Sequence, residues 1–111
     1  MRDDALVVLV TAADMEQAAH IGRALVEERL AACANLVPSM RSIYRWQDAV
    51  HDEAEVLLVI KTTAARFAAL QARVLALHSY TTPEVLALPV VAGAPAYLDW
   101  LRAQVAAEAD G

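Results

Sequence analysis

The sequence predicts an α+β fold, a βαββαβ run closed by one further helix. Three observations carry this. Apolar segments of strand length alternate with segments whose apolar residues recur at helical spacing. The middle of the chain holds two long β-forming stretches in succession, with a polar turn at Gln47-Asp48-Ala49 between them. No internal repeat, low-complexity linker or composition shift divides the 111 residues, so a single domain over 1–111 is expected.

The first strand is the apolar run 5–10, of the kind buried on both faces of a sheet. Asp14 then offers a capping carboxylate, with Gln17 three residues on in the capping-box position. The helix they open is expected to run to about Leu30, with Ala18, Ile21, Leu25 and Arg29 along one stripe. Residues 31–46 form the longest extended segment. Pro38 interrupts it and predicts a bulge. The return strand covers about 50–62, and Thr62 or Thr63 is placed to cap a second helix. Phe67, Leu70, Val74 and Leu77 carry that helix through His78. Pro83 excludes a helix beyond it, and 84–90 reads as a short strand. Gly93 and Pro95 open the last helix, whose stripe is Leu98, Leu101 and Val105; the tail 108–111 is expected to fray. This order is the split-βαβ, ferredoxin-like pattern, with helices on one face of an antiparallel sheet.

Strand and helix lengths do not match. About 15 residues span roughly 50 Å as a strand but only about 22 Å as a helix. The central hairpin therefore overhangs its helices, and its end carries Tyr44 and Trp46. An uncovered apolar strand edge calls for pairing with another subunit. The 59% hydrophobic composition points the same way, since a small monomer hides little apolar surface.

Other features narrow the function. The net charge is -5, and no basic stripe is present, which argues against nucleic acid. No apolar run approaches the ~18 residues of a membrane span. Cys33 is the only cysteine and the N-terminal residues lack the pattern of a signal peptide, so a cytoplasmic protein is expected.

Several fragments together point to a family. They are Ala31-Ala32-Cys33-Ala34-Asn35, Ser42-Ile43-Tyr44-Arg45-Trp46, Glu55-Val56-Leu57, Ile60-Lys61-Thr62, His78-Ser79-Tyr80-Thr81-Thr82-Pro83-Glu84, Leu88-Pro89-Val90, Tyr97-Leu98 and Trp100. In this order and spacing the chain resembles the CutA divalent-cation tolerance family over nearly its whole length. The resemblance implies a ferredoxin-like homotrimer, a link to tolerance of copper and other divalent metals, and kinship with the trimeric PII signalling proteins. The sequence holds no Cys-x-x-Cys, His-Glu-x-x-His or glycine-rich phosphate loop, so no enzymatic activity is expected. Ser79 departs from the family's Pro, and 47–49 lacks its usual hairpin Gly. Val10 and Leu77 stand where some copper-binding members carry a Cys and a second His.

The candidate site residues keep two readings each. Cys33 is a soft ligand for copper or a small buried hydrophobe. His78 is a metal ligand or a helix-end histidine. Glu84 supplies a carboxylate, and Lys61 a cation on what is expected to be the neighbouring strand. With Tyr80 they line a polar cleft between subunits or form an interfacial ion pair. Cys33, His78 and Glu84 are thus the candidate metal ligands, and Lys61, Tyr80 and Glu84 the candidate small-molecule contacts. Tyr44 and Trp46 cover the overhang or stack on a flat ligand. Asp52, Glu53 and Glu55 form an acidic run beside the turn, and His20 and His51 read as surface residues. Two functions follow: a trimeric divalent-cation (copper) tolerance protein binding metal weakly at subunit clefts, or a PII-like trimeric signalling module binding a small metabolite there.

Overall fold

β1 (Ala5–Ala12), α1 (Met15–Glu27), β2 (Cys33–Trp46), β3 (Ala49–Thr63), α2 (Ala64–Leu77), β4 (Val85–Pro89) and α3 (Pro95–Val105) follow one another in the computed structural model, which describes residues 4–106. The expected fraying of 108–111 lies outside the described residues. The sheet order is β2-β3-β1-β4 and every neighbouring pair is antiparallel. This is the ferredoxin-like arrangement.

Strand alternation places the core. Val8, Val10 and Ala12 of β1 and Val56, Leu58 and Ile60 of β3 point to one face. There they meet Ala18, Ile21 and Leu25 of α1 and Leu70 and Val74 of α2. The intervening residues Val7, Leu9, Leu57 and Val59 lie half-buried on the other face. At one end of the molecule α3 packs Leu101 and Val105 against Ala5 and Ala32.

The helix ends depart from expectation in informative ways. Asp14 Oδ1 accepts the Gln17 backbone N–H at 2.9 Å, as the cap pattern requires. The first helix ends at Glu27, short of Leu30, because Arg29 adopts φ 60 and turns the chain. The N–H groups of Leu30 and Ala31 return to the Leu25 carbonyl, closing the helix end. Arg29 is thus off the helical stripe, and its guanidinium donates to the Gln104 carbonyl at 3.0 Å. Thr63 occupies the N-cap of α2 but makes no side-chain cap bond. Buried Thr62 instead donates to the Leu30 carbonyl at 2.7 Å, tying the α1 exit to β3.

The hairpin overhangs as its length predicts. β1 pairs with β3 as far as Ala12↔Val56. Beyond that point Glu55 to Ala49 pair only with Met40 to Trp46, a projection of roughly 20 Å. The pairing register slips between Val37 and Met40, where the sequence has Pro38 and Ser39 takes φ 62. On the projecting ribbon Ile43 and Val50 are 65% and 64% exposed. Isolated surface leucines are ordinary, but two large apolar residues this exposed on neighbouring strands form a sticky face.

The tip is a two-residue turn. Trp46 pairs with Ala49, and Gln47 and Asp48 have φ 53 and φ 63. Both central residues are left-handed, the conformation for which Asn-Gly is favoured because Gly lacks the Cβ clash. Ala49 therefore belongs to β3 rather than to the turn. Asp48→Gly is expected to stabilise the protein by roughly 0.5–1 kcal/mol, read as a raised thermal midpoint with unchanged oligomeric mass.

Candidate functional site

The loop 79–84 between α2 and β4 is held from three directions. His78 ends α2, its backbone N–H reaching the Val74 carbonyl. Its ring sits between two backbone groups: Nε2 lies 2.7 Å from the Thr11 carbonyl, and Nδ1 lies 3.1 Å from the Tyr80 N–H. A carbonyl only accepts and an amide N–H only donates, so Nε2 carries the proton and Nδ1 accepts. Next along the chain, the Ser79 N–H and hydroxyl both donate to Gln17 Oε1, at 3.2 and 2.7 Å. Gln17 thus joins the N-terminus of α1 to this loop, a role its capping-box position did not disclose. The Tyr80 ring then lies tilted against that of His78, with ring centroids 4.5 Å apart, and its hydroxyl donates to Glu55 Oε2 at 2.7 Å.

This pinned loop forms one wall of a cleft of about 920 Å³. Leu9, Leu57 and Met40 supply apolar surface from β1, β3 and β2. Ile43, Tyr44 and Trp46 of the overhanging ribbon supply further apolar and aromatic surface. Glu55, Glu84 and the hydroxyl residues 79–82 and Ser42 supply the polar groups. The acidic run of the hairpin is divided by strand alternation. Asp52 is gripped by Arg41 through two bonds of 2.8 and 2.6 Å. Glu53 accepts the Tyr44 hydroxyl at 2.5 Å, and Tyr44 stacks on His51 at 5.2 Å. His51 is therefore half-buried against a ring rather than simply exposed, while His20 is exposed on α1.

These pairings bias the titration of their members. Arg41 holds the Asp52 carboxyl below its ordinary range. Its hydrogen bond to Glu53 pushes the Tyr44 phenol up to about 12. Burial first, and then the bond to Glu55, push Tyr80 up as well. A phenol raised on folding stabilises the native state fully below its unfolded value of about 10. That contribution disappears as pH climbs through the folded value. Phenolate absorbance is therefore expected to report two late-ionising tyrosines in the wild type, and Tyr44→Phe should remove one of the late ionisations.

Comparison with known proteins bears on what this cleft serves. Residues 6–104 match the family described as CutA1 divalent ion tolerance protein. The chain belongs to the CutA1 family. It is 56% identical over 96 residues to the divalent-cation tolerance protein CutA of Thermus thermophilus, covering 86% of this chain and 93% of that one. Human CutA is 45% identical over 93 residues, which is 84% of this chain but 52% of the human protein. Among solved structures, a T. thermophilus CutA1 superposes with TM-score 0.88 at 54% identity, covering 90% of this chain and 97% of that one. CutA from Xylella fastidiosa gives 0.89 at 40% identity, covering 92% and 98%. CutA1 is a divalent ion tolerance family, and its relatives' names carry no enzymatic activity.

The CutA1 fold distributes the sequence-derived ligands unevenly. Both ring nitrogens of His78 are engaged by backbone, so neither has a lone pair free for a metal. Cys33 pairs across the sheet with Lys61, which pairs with Val7. His78 touches Thr11, four residues further along β1, so Cys33 and His78 lie on the order of 15 Å apart within one chain. The expectation of a site shared by these two is corrected accordingly for the single chain. Cys33 Sγ is instead 3.6 Å from Asn35 Oδ1, and Asn35 also receives the Lys61 ammonium. Lys61 and Glu84 are not on neighbouring strands either. β1 intervenes between β3 and β4, and Lys61 aligns with Leu88 at the far end of the short strand. One chain thus brings Tyr80 and Glu84 together in the cleft and leaves Lys61 and Cys33 outside it. Val10 is fully buried in the core and Leu77 packs against it, so neither position faces the cleft. Among the described residues no three His, Cys, Asp or Glu side chains converge as a metal-binding group.

Proposed function

We propose that this CutA1-family chain works in divalent-cation tolerance as a homotrimer, and that the cleft between the overhanging hairpin and the loop 79–84 is its ligand site, completed where subunits meet. The observation that carries the assembly is the ribbon itself, which projects past β1 with Ile43 and Val50 exposed. A second copy is the simplest cover for it, and the two open sheet edges, β2 and β4, permit head-to-tail closure into a ring. Metal bound weakly at the cleft would meet oxygen donors, with Glu84 the exposed carboxylate and a neighbouring copy supplying the rest. Titration calorimetry with copper and with manganese tests this. Glu84→Ala is expected to lower metal affinity about ten-fold or more, and Cys33→Ser to leave it unchanged. Loss of binding in Cys33→Ser alone would move the metal to β2 and overturn the assignment.

The second reading is a PII-like trimeric signalling module that binds a small metabolite. The size of the cleft favours it, because about 920 Å³ with apolar and aromatic walls exceeds what a bare ion needs. Anion binding lost in Lys61→Ala, with metal binding retained, would support an anionic metabolite contacted by a neighbour's lysine.

A further inference from the structure

We propose that Tyr80 is a strut that sets the angle at which the overhanging ribbon leaves the sheet; this rests on the reading of the ribbon as the assembly device. The backbone alone holds that angle weakly. β3 runs unbroken from the body into the ribbon, but its pairing on both sides gives out at the same level. β1 makes its last pair there, Ala12↔Val56. On the other side Val56 faces the register slip between Val37 and Met40, where Pro38 has no N–H to donate and Ser39 takes φ 62. Glu55 is the next residue of β3 and the first of the ribbon. A bulge bends the strand that carries it, and two strands with no third beside them hold together only marginally. A tilt of about 10° at this joint carries the far end of a roughly 20 Å ribbon by about 3–4 Å, enough to break side-chain contacts with a neighbour.

Tyr80 crosses the joint. Its hydroxyl donates to Glu55 Oε2 at 2.7 Å, on the ribbon side. Its other attachments are on the body side. The Tyr80 N–H donates to His78 Nδ1, and the two rings lie tilted against each other. His78 Nε2 in turn donates to the Thr11 carbonyl at 2.7 Å, one residue from the end of β1. Ser79 is fastened to Gln17 of α1 by its N–H and its hydroxyl. The loop is thus fixed to β1 and α1, and a rigid ring carries that fixity to the first carboxylate of the ribbon. A hydrogen bond to an ionised carboxylate is stronger than one between neutral groups. The Arg41–Asp52 and Tyr44–Glu53 bonds, by contrast, run from strand to strand within the ribbon and leave its angle to the body unset. Fixing the angle before a second copy arrives removes an ordering cost from association. Tyr80 is therefore a positioning residue for assembly.

Spin labels at Arg45→Cys on the ribbon and Gln71→Cys on α2, both exposed positions, report the angle as a distance distribution in a Cys33→Ser chain. Ile43→Asp in the same chain keeps neighbours from clamping the ribbon. Tyr80→Phe keeps the ring and loses the hydroxyl, and it should broaden the distribution. Glu55→Ala should broaden it equally, and the two together no further, since each removes the same bond. Glu55→Gln keeps an acceptor oxygen and should hold the distribution narrow. Without Ile43→Asp and the labels, Tyr80→Phe should raise the concentration at which the assembly half-dissociates about ten-fold or more. Glu55→Gln should stay near the wild type. A distribution as narrow in Tyr80→Phe as in its parent overturns the strut, even where the thermal midpoint falls. Broadening with no loss of assembly overturns its part in association. A wild type that stays a single chain refutes the assembly reading instead, and the distance distribution then still decides whether the strut exists.

Discussion

Ile43→Asp is expected to convert the assembly into monomers. Ile43 is 65% exposed in the single chain, on a ribbon with Val50 at 64% on the facing strand. If a second copy covers this face, Ile43 contributes roughly 1.5–3 kcal/mol of apolar burial at each contact. An aspartate there loses that burial and adds an unpaired charge to a desolvated surface, a change of several kcal/mol more. A ring of identical subunits repeats the cost at every interface. The fold of each chain should survive, because the ribbon lies beyond the β1–β3 pairing and makes no part of the helix-covered core. Far-ultraviolet dichroism near that of the wild type, with a reduced mass in solution, is the expected pair of observations. An unchanged mass would mean that the assembly uses another surface.

The second large effect concerns His78. His78→Ala removes the bonds to the Thr11 carbonyl and the Tyr80 N–H and the ring that lies tilted against Tyr80. It leaves a partly buried carbonyl and amide without their partner. The expected cost is about 1–3 kcal/mol, seen as a lower denaturation midpoint. Tyr80 should also lose its raised phenol ionisation as its contact with Glu55 loosens. His78→Asn keeps a donor and an acceptor on a shorter side chain and should recover part of the stability. A metal ligand would behave otherwise, with stability nearly unchanged and metal affinity lost.

The elements were legible because their signals are local. Alternation through Ser42-Ile43-Tyr44-Arg45-Trp46, the Asp14 cap and Pro38 as a bulge each act within a few residues, and each has its expected counterpart in the fold. The early end of α1 was not legible, since Arg29 is a good helix former that the tertiary contact to Gln104 holds at positive φ. The site was legible only in part. Tyr80 and Glu84 follow one another in a single loop and were readily grouped. The expected adjacency of Lys61 and Glu84 fails because β1 inserts between β3 and β4, an order that the ferredoxin-like pattern carries but that strand ends read one by one do not use. The partners of the loop lie far away in sequence: His78 meets Thr11, Ser79 meets Gln17 and Tyr80 meets Glu55. A helix-end histidine followed by Tyr is a weak cue to a backbone-locked ring, and no periodicity announces it. The ordered fragments carry the resemblance to the family, but it does not disclose that His78 spends both nitrogens on the backbone.

The role of the overhanging hairpin as an assembly device is tested most directly by the mass in solution. Static light scattering of the wild type at low micromolar concentration should give about 36 kDa, three times the 12.0 kDa chain. A stable species at the mass of one chain, with the ribbon's apolar face left to solvent, would contradict it.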